Sequence, residues 1–204
     1  MVQPASSEQR SQEVHAAKAL EEAFVAQASA AAAQVSLTQD VRSAVQIIGS
    51  SYPGVLRCSA DVLDSHPALR EALVESGLQV EAVEETNAQQ PDTTALAVSL
   101  TGETSLLVAR AGIAETGSLV LAYNSLASRL LSMLADVCVV LLSASAIVRD
   151  LDEAGKLLAE LNRTGHRYVS LVTGPSRTAD IERVLTIGVQ GPKALHIIIV
   201  EELS

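Results

Sequence analysis

The sequence predicts a single α/β domain with a largely parallel central sheet, helices on both faces, and a long N-terminal helix. Near-continuous apolar runs of strand length alternate with segments of helical spacing, as expected of parallel strands buried on both faces. The chain has 204 residues, 48% hydrophobic and 19% charged, enough for one domain with a sizeable core. No stretch reads as a domain linker.

Each element follows from local pattern. Residues 1–7 are polar and read as a disordered N-terminus, 8–34 as the N-terminal helix, and 35–204 as the α/β domain. Glu8 to Ala33 contains neither Gly nor Pro, and Val14, Ala17, Leu20, Phe24, Ala28 and Ala31 recur at helical spacing. This narrow stripe leaves two readings open, a helix lying on its own domain or an arm pairing with a second copy in a homodimer. A second helix is expected over Thr38 to Ile48, broken by Ser50-Ser51-Tyr52-Pro53-Gly54. Val55 to Cys58 reads as a strand. Pro67 to Ser76 reads as a helix opened by Pro and closed by Gly77. Leu78 to Val83 is the next strand, and Asn87 to Asp92 a polar loop. The strands Leu96 to Leu100, Ser105 to Ala109 and Ser118 to Ala122 follow, then a helix over Ser125 to Leu134. A strand over Val137 to Leu142, a helix over Leu151 to Asn162, and strands over Tyr168 to Val172 and Leu195 to Val200 complete the order.

Composition narrows the function. Net charge is −10, from 24 acidic against 14 basic residues, and the basic residues are scattered singly. Phosphate binding needs a concentrated basic face, so neither nucleic acid nor an anionic membrane is an expected partner. With no Trp, one Phe and three Tyr, stacking platforms for bases are also lacking. Cys58 and Cys138 are too few for an iron–sulfur cluster, which takes about four thiolates. They read as buried reduced thiols. His15, His66, His166 and His196 lack paired ligand spacing, so no metal is expected. Neither Gly-x-x-x-x-Gly-Lys nor Gly-x-Gly-x-x-Gly occurs, no Gly-x-Ser-x-Gly elbow is present, and no cofactor is expected. With neither a leader pattern nor an apolar run of membrane-spanning length, the expected location is the cytoplasm.

Two glycine-punctuated loops concentrate the remaining polar chemistry. Gly112-Ile113-Ala114-Glu115-Thr116-Gly117-Ser118 presents one carboxylate and two hydroxyls before an apolar strand. Glu115 is the candidate catalytic residue, as nucleophile or base, unless the loop is a plain turn. Thr173-Gly174-Pro175-Ser176-Arg177-Thr178-Ala179-Asp180 follows a strand, at the end where open α/β sheets bind ligands. Ser176 or Thr178 can cap a following helix, and Arg177 beside free N–H groups suits a carboxylate or phosphate. Asp180 and Glu182 compete for that guanidinium. The candidate ligand-binding residues are Gly112, Thr116, Gly117, Ser118, Gly174, Ser176, Arg177, Thr178 and Asp180. The two loops are expected within about 10 Å of each other at one edge of the central sheet.

Together Gly112 to Leu121, Gly174 to Glu182 and the closing Gly188-Val189-Gln190-Gly191-Pro192 resemble the signature of the lactate-utilisation protein C family, the LUD domain, over roughly residues 94–200. Members often carry Pro and His where this chain has Leu134-Ala135-Asp136, and His where it has Gln190, so roles of those histidines do not carry over. The resemblance implies a fold similar to sugar-phosphate isomerases, glucosamine-phosphate deaminases and CoA transferases. It also implies an accessory role in a three-protein system oxidising L-lactate to pyruvate, whose partner proteins hold the iron–sulfur clusters. Two other readings stay open: an independent enzyme on a small carboxylate or phosphate ester with Glu115 reactive, and a structural interaction protein.

Overall fold

The computed structural model describes residues 7–83, 102–166, 168–178, 186–187 and 191–203. The expected strand Leu96 to Leu100, the loop Asn87 to Asp92, and Asp180, Glu182 and Gln190 lie outside them.

The chain opens with α1 (Ser7–Ala30), followed by β1 (Gln34–Asp40) and α2 (Val41–Ser51). β1 corrects the expected helix start at Thr38. Val35 and Leu37 alternate with polar residues, and the helix begins only after Asp40, whose carboxylate accepts the Ser43 N–H at 2.7 Å as an N-cap. Next come β2 (Leu56–Ser59), a short α3 (Ala60–Ser65) absent from the sequence reading, α4 (Pro67–Ser76) and β3 (Val80–Val83). Gly77 closes α4 in the left-handed region, at φ 70°.

β4 (Thr104–Val108), β5 (Ala111–Ile113), β6 (Ser118–Tyr123), α5 (Leu126–Leu134) and β7 (Val137–Ser143) follow. After a 3-10 turn come β8 (Ile147–Val148), α6 (Leu151–Arg163), β9 (Tyr168–Val172), β10 (Arg177–Thr178), β11 (Thr186–Ile187) and β12 (Ala194–Glu202).

The central sheet has six strands in the order β1-β12-β7-β4-β2-β3, every pairing parallel. A second sheet, in the order β8-β5-β6-β9, takes the strands of both loops out of the central one. Its β5–β6 and β6–β9 pairs are antiparallel. Four residues join β5 to β6, far too few for a parallel crossover, which takes a dozen or more.

Period-two alternation on β7 divides the core. Cys138, Val140 and Leu142 face a cluster with Phe24 and Ala28 of α1, Leu119 and Leu121 of β6 and Leu131 of α5. Val139 and Leu141 face the opposite cluster, formed with α2, α3 and α4. A smaller cluster packs α6, through Ala154 and Leu161, on Ile113 and Val120 of the second sheet.

Candidate functional site

The turn before β6 is compact, with the Gly117 N–H bonded to the Ile113 carbonyl at 2.8 Å. Its glycines answer to α1. A Cβ on Gly117 would lie 2.2 Å from the Ala28 nitrogen, and φ there is +65°. On Gly112 a Cβ would meet Phe24 and Leu142 carbons at 2.8 Å, and on Gly174, at φ +69°, the Ala31 carbonyl oxygen at 2.1 Å. The second half of α1 therefore lies directly against the first loop and Ala31, just after it, against the second, and at Gly117 and Gly174, where backbone is met, only glycine permits the approach. The sequence signal for this packing was present in the lone Phe24 and the alanines that follow it.

The loops touch each other. The Ser118 hydroxyl is 2.6 Å from the Thr173 hydroxyl and accepts a hydrogen bond from Thr116 at 2.8 Å. Antiparallel pairing of Leu119 with Val172 brings these ends together. Their proximity agrees with expectation. Their place is at one end of the second sheet, where the sequence reading put them on the central one.

Glu115 is exposed and turns toward α6. Its carboxylate accepts the Leu151 N–H at 3.2 Å, and its own N–H binds the Arg149 carbonyl. With Asp150 as N-cap accepting from Glu153 N–H at 2.9 Å, Glu115 supplies a second acceptor to the orphan donors of that helix start.

A cleft of about 670 Å³ opens beside the second loop. Its walls include Thr173, Gly174, Ser176 and Arg177 from the loop, Arg129 and Met133 from α5, and Ser170 to Val172 from β9. Of the expected ligand-binding residues the cleft gathers Gly174, Ser176 and Arg177. Gly112, Glu115, Thr116, Gly117 and Ser118 do not line it. Thr178 lies on β10, and Asp180 is outside the described residues. The backbone donors expected beside Arg177 are partly used, since the Ser176 N–H binds the Pro192 carbonyl at 2.9 Å.

Arg129 was missed, because nothing in an amphipathic helix reveals which exposed charge will face a distant loop. Its guanidinium carbon sits 5.0 Å from the Tyr168 ring centroid, a cation–π contact that restrains the side chain. Neither Arg129 nor Arg177 enters an ion pair among the described residues, and no carboxylate stands among the described residues lining the cleft.

His196 is 1% exposed and saturated. Nε2 lies 2.8 Å from the Ser36 hydroxyl and Nδ1 2.9 Å from the Tyr52 hydroxyl, and burial lowers its pKa. Burial pushes the Cys58 thiol up to about 12 and the Cys138 thiol up to about 11, so both stay protonated and unreactive near neutrality. Among the described residues no three His, Cys, Asp or Glu side chains cluster as a metal site requires, and no helix is long and apolar enough to cross a membrane.

Fold and site define a single-domain α/β protein on a parallel sheet, with two glycine loops packed under its own N-terminal helix and an arginine-lined cleft beside one of them. The chain belongs to the LUD domain family, whose model matches residues 20–200. It is similar to "Lactate utilization protein C 1" of Bacillus mycoides, 37% identical over 93 residues, 44% of this chain and 40% of that protein. "Lactate utilization protein C" of Anoxybacillus flavithermus is 37% identical over 90 residues, again 44% of this chain and 40% of the relative. The chain thus spans less than half the length of these relatives. The crystal structure of a DUF162 family protein from Deinococcus radiodurans superposes with a TM-score of 0.64 over 90% of this chain and 98% of that one, at 16% identity. That likeness concerns the fold alone.

Proposed function

We propose that the protein serves lactate utilisation in the cytoplasm, as an accessory protein of an iron–sulfur-dependent system that oxidises L-lactate to pyruvate. In this reading it holds a carboxylate-bearing ligand or partner at the cleft beside Thr173 to Arg177. One observation carries the site assignment: Arg129 and Arg177 line the same cleft, with no carboxylate among its described walls, on a chain of net charge −10. Paired guanidiniums suit carboxylates through their planar donor forks. The names of the relatives support the lactate assignment, and the iron–sulfur partners follow from the family resemblance. No observation favours Glu115 as a reactive carboxylate, because its acceptor oxygen is engaged at the start of α6.

Deleting the gene tests the reading: growth on L-lactate should fail and return on complementation, and normal growth would refute it. Complementation with Arg177→Ala should lower lactate-dependent growth at least tenfold, which for a binding constant is about 1.4 kcal/mol. The melting temperature should barely move, because Arg177 is exposed. Full growth with Arg177→Ala would remove the cleft from the reading.

A further inference from the structure

β9 ends the second sheet, with β6 its one partner among the described residues. Ser170, Leu171, Val172 and Thr173 are consecutive, and all four line the arginine cleft. Successive side chains of a strand point to opposite faces, so a wall of consecutive residues is the strand's edge. There the main-chain donors and acceptors of a terminal strand face away from its partner. Tyr168–Val172 itself contains no Lys or Pro to blunt that edge. Val169 is 37% and Leu171 48% exposed, and Met133 of α5 is 41% exposed. Arg129 and Arg177 add two positive charges to this apolar groove.

We propose that the cleft receives an extended acidic segment of a partner protein, which adds to β9 as a fifth strand of the second sheet. The proposal rests on the reading above, that the cleft takes a carboxylate-bearing ligand or partner, and it specifies the occupant. Main-chain hydrogen bonds along β9 supply affinity, and side chains of the incoming strand supply specificity. Its carboxylates meet Arg129 and Arg177, and an apolar side chain lies on Met133 and Leu171. Charge decides the class of partner: the only cations lining the described cleft face an opening with no described acid. Size agrees. A cleft of about 670 Å³ falls within the range of about 300–1,000 Å³ that encloses drug-sized ligands, and lactate alone would leave most of it empty.

The test uses the full chain and the probe peptide acetyl-Gly-Glu-Val-Glu-Val-Glu-Val-Glu-Gly-amide, followed by calorimetry and amide hydrogen exchange. The expected result is saturable binding that slows exchange over Ser170 to Thr173. The same peptide with Lys for Glu should not bind. The double variant Arg129→Gln, Arg177→Gln should bind the acidic peptide at least tenfold more weakly at an unchanged melting temperature. Absence of binding, equal binding of the Lys peptide, or protection confined to other residues would overturn the proposal. So would a β9-dependent dimer of the protein alone, which would put a second copy on this edge. If L-lactate protects Thr173 to Arg177 while the acidic peptide does not bind, the cleft takes a small anion; this inference falls and the proposed function stands. Normal growth of the deletion strain on L-lactate removes the proposed function whatever the peptide does.

Discussion

His196 sits between Ser36 and Tyr52 with both ring nitrogens engaged, and burial holds its pKa below the ordinary value. Above about pH 6.5, the pKa of an unfolded histidine, folded and unfolded chains are both neutral at this residue and its full contribution is present. As pH falls below that value the unfolded chain takes up the proton first, so stability drops until the lower folded pKa is passed. Urea unfolding between pH 7 and 5 should show this loss, and His196→Gln should flatten it; an equal slope in the variant would exclude His196 as the source. Glycines divide by what surrounds them. An alanine at Gly117 must adopt φ +65° and push its Cβ into the α1 backbone, costing about 2–5 kcal/mol from left-handed strain and overpacking. Gly77 has a similar φ of +70° but nothing within 4 Å of a Cβ, so alanine there should cost about 1–2 kcal/mol. Equal urea midpoints for the two variants would contradict the close approach of α1. Gly112 and Gly117 were legible as special positions, but sequence alone leaves open whether a glycine admits a ligand or a helix, because both demand a missing side chain.

α1 has two halves of different character. From Gln12 to Ala19 every described side chain is exposed, whereas Phe24 and Ala28 are fully buried, Phe24 beside Gly112 and Ala28 beside Gly117 of the first loop. Val14→Ala, at an exposed position of the first half, should therefore change stability by under about 1 kcal/mol, while Phe24→Ala should cost about 3–5 kcal/mol. Denaturant curves decide it, and strong destabilisation by Val14→Ala would mean this face of the helix has packing of its own. Most strands and helices could be located in advance because their periodicity is strong over whole elements. β7 alternates between two cores, and α5 is capped by Ser125, whose hydroxyl accepts from the Ser128 N–H at 3.0 Å. The elements that escaped notice are short or border a stronger pattern. α3 spans six residues and β8 two, too few to show a period, and β1 runs straight into the helix whose pattern hid it.

At the scale of the whole molecule, the two cysteines lie in separate cores on opposite sides of the central sheet, Cys58 in one and Cys138 in the other. If the sheet unfolds as one cooperative unit, both thiols should stay unreactive toward a disulfide reagent in the native state and become reactive together with the global transition. One thiol reacting well before the other would show that a side of the sheet opens alone. Family membership was already visible in the residues, since the three glycine motifs are local and ordered along the chain, and the LUD model covers residues 20–200. The sequence by itself determined the α/β class, the aliphatic core, the mostly correct order of elements and the positions of the two glycine turns, because each depends on composition or on patterns within a dozen neighbours. Only the tertiary structure decided that β6 and β9 leave the central sheet, that Glu115 serves the start of α6, and that Arg129 joins Arg177 at one cleft. These facts depend on which distant surfaces meet: strand partners are chosen by crossover length and burial, and Arg129 and Arg177, 48 positions apart, come to share a cleft only once α5 and the second sheet have packed.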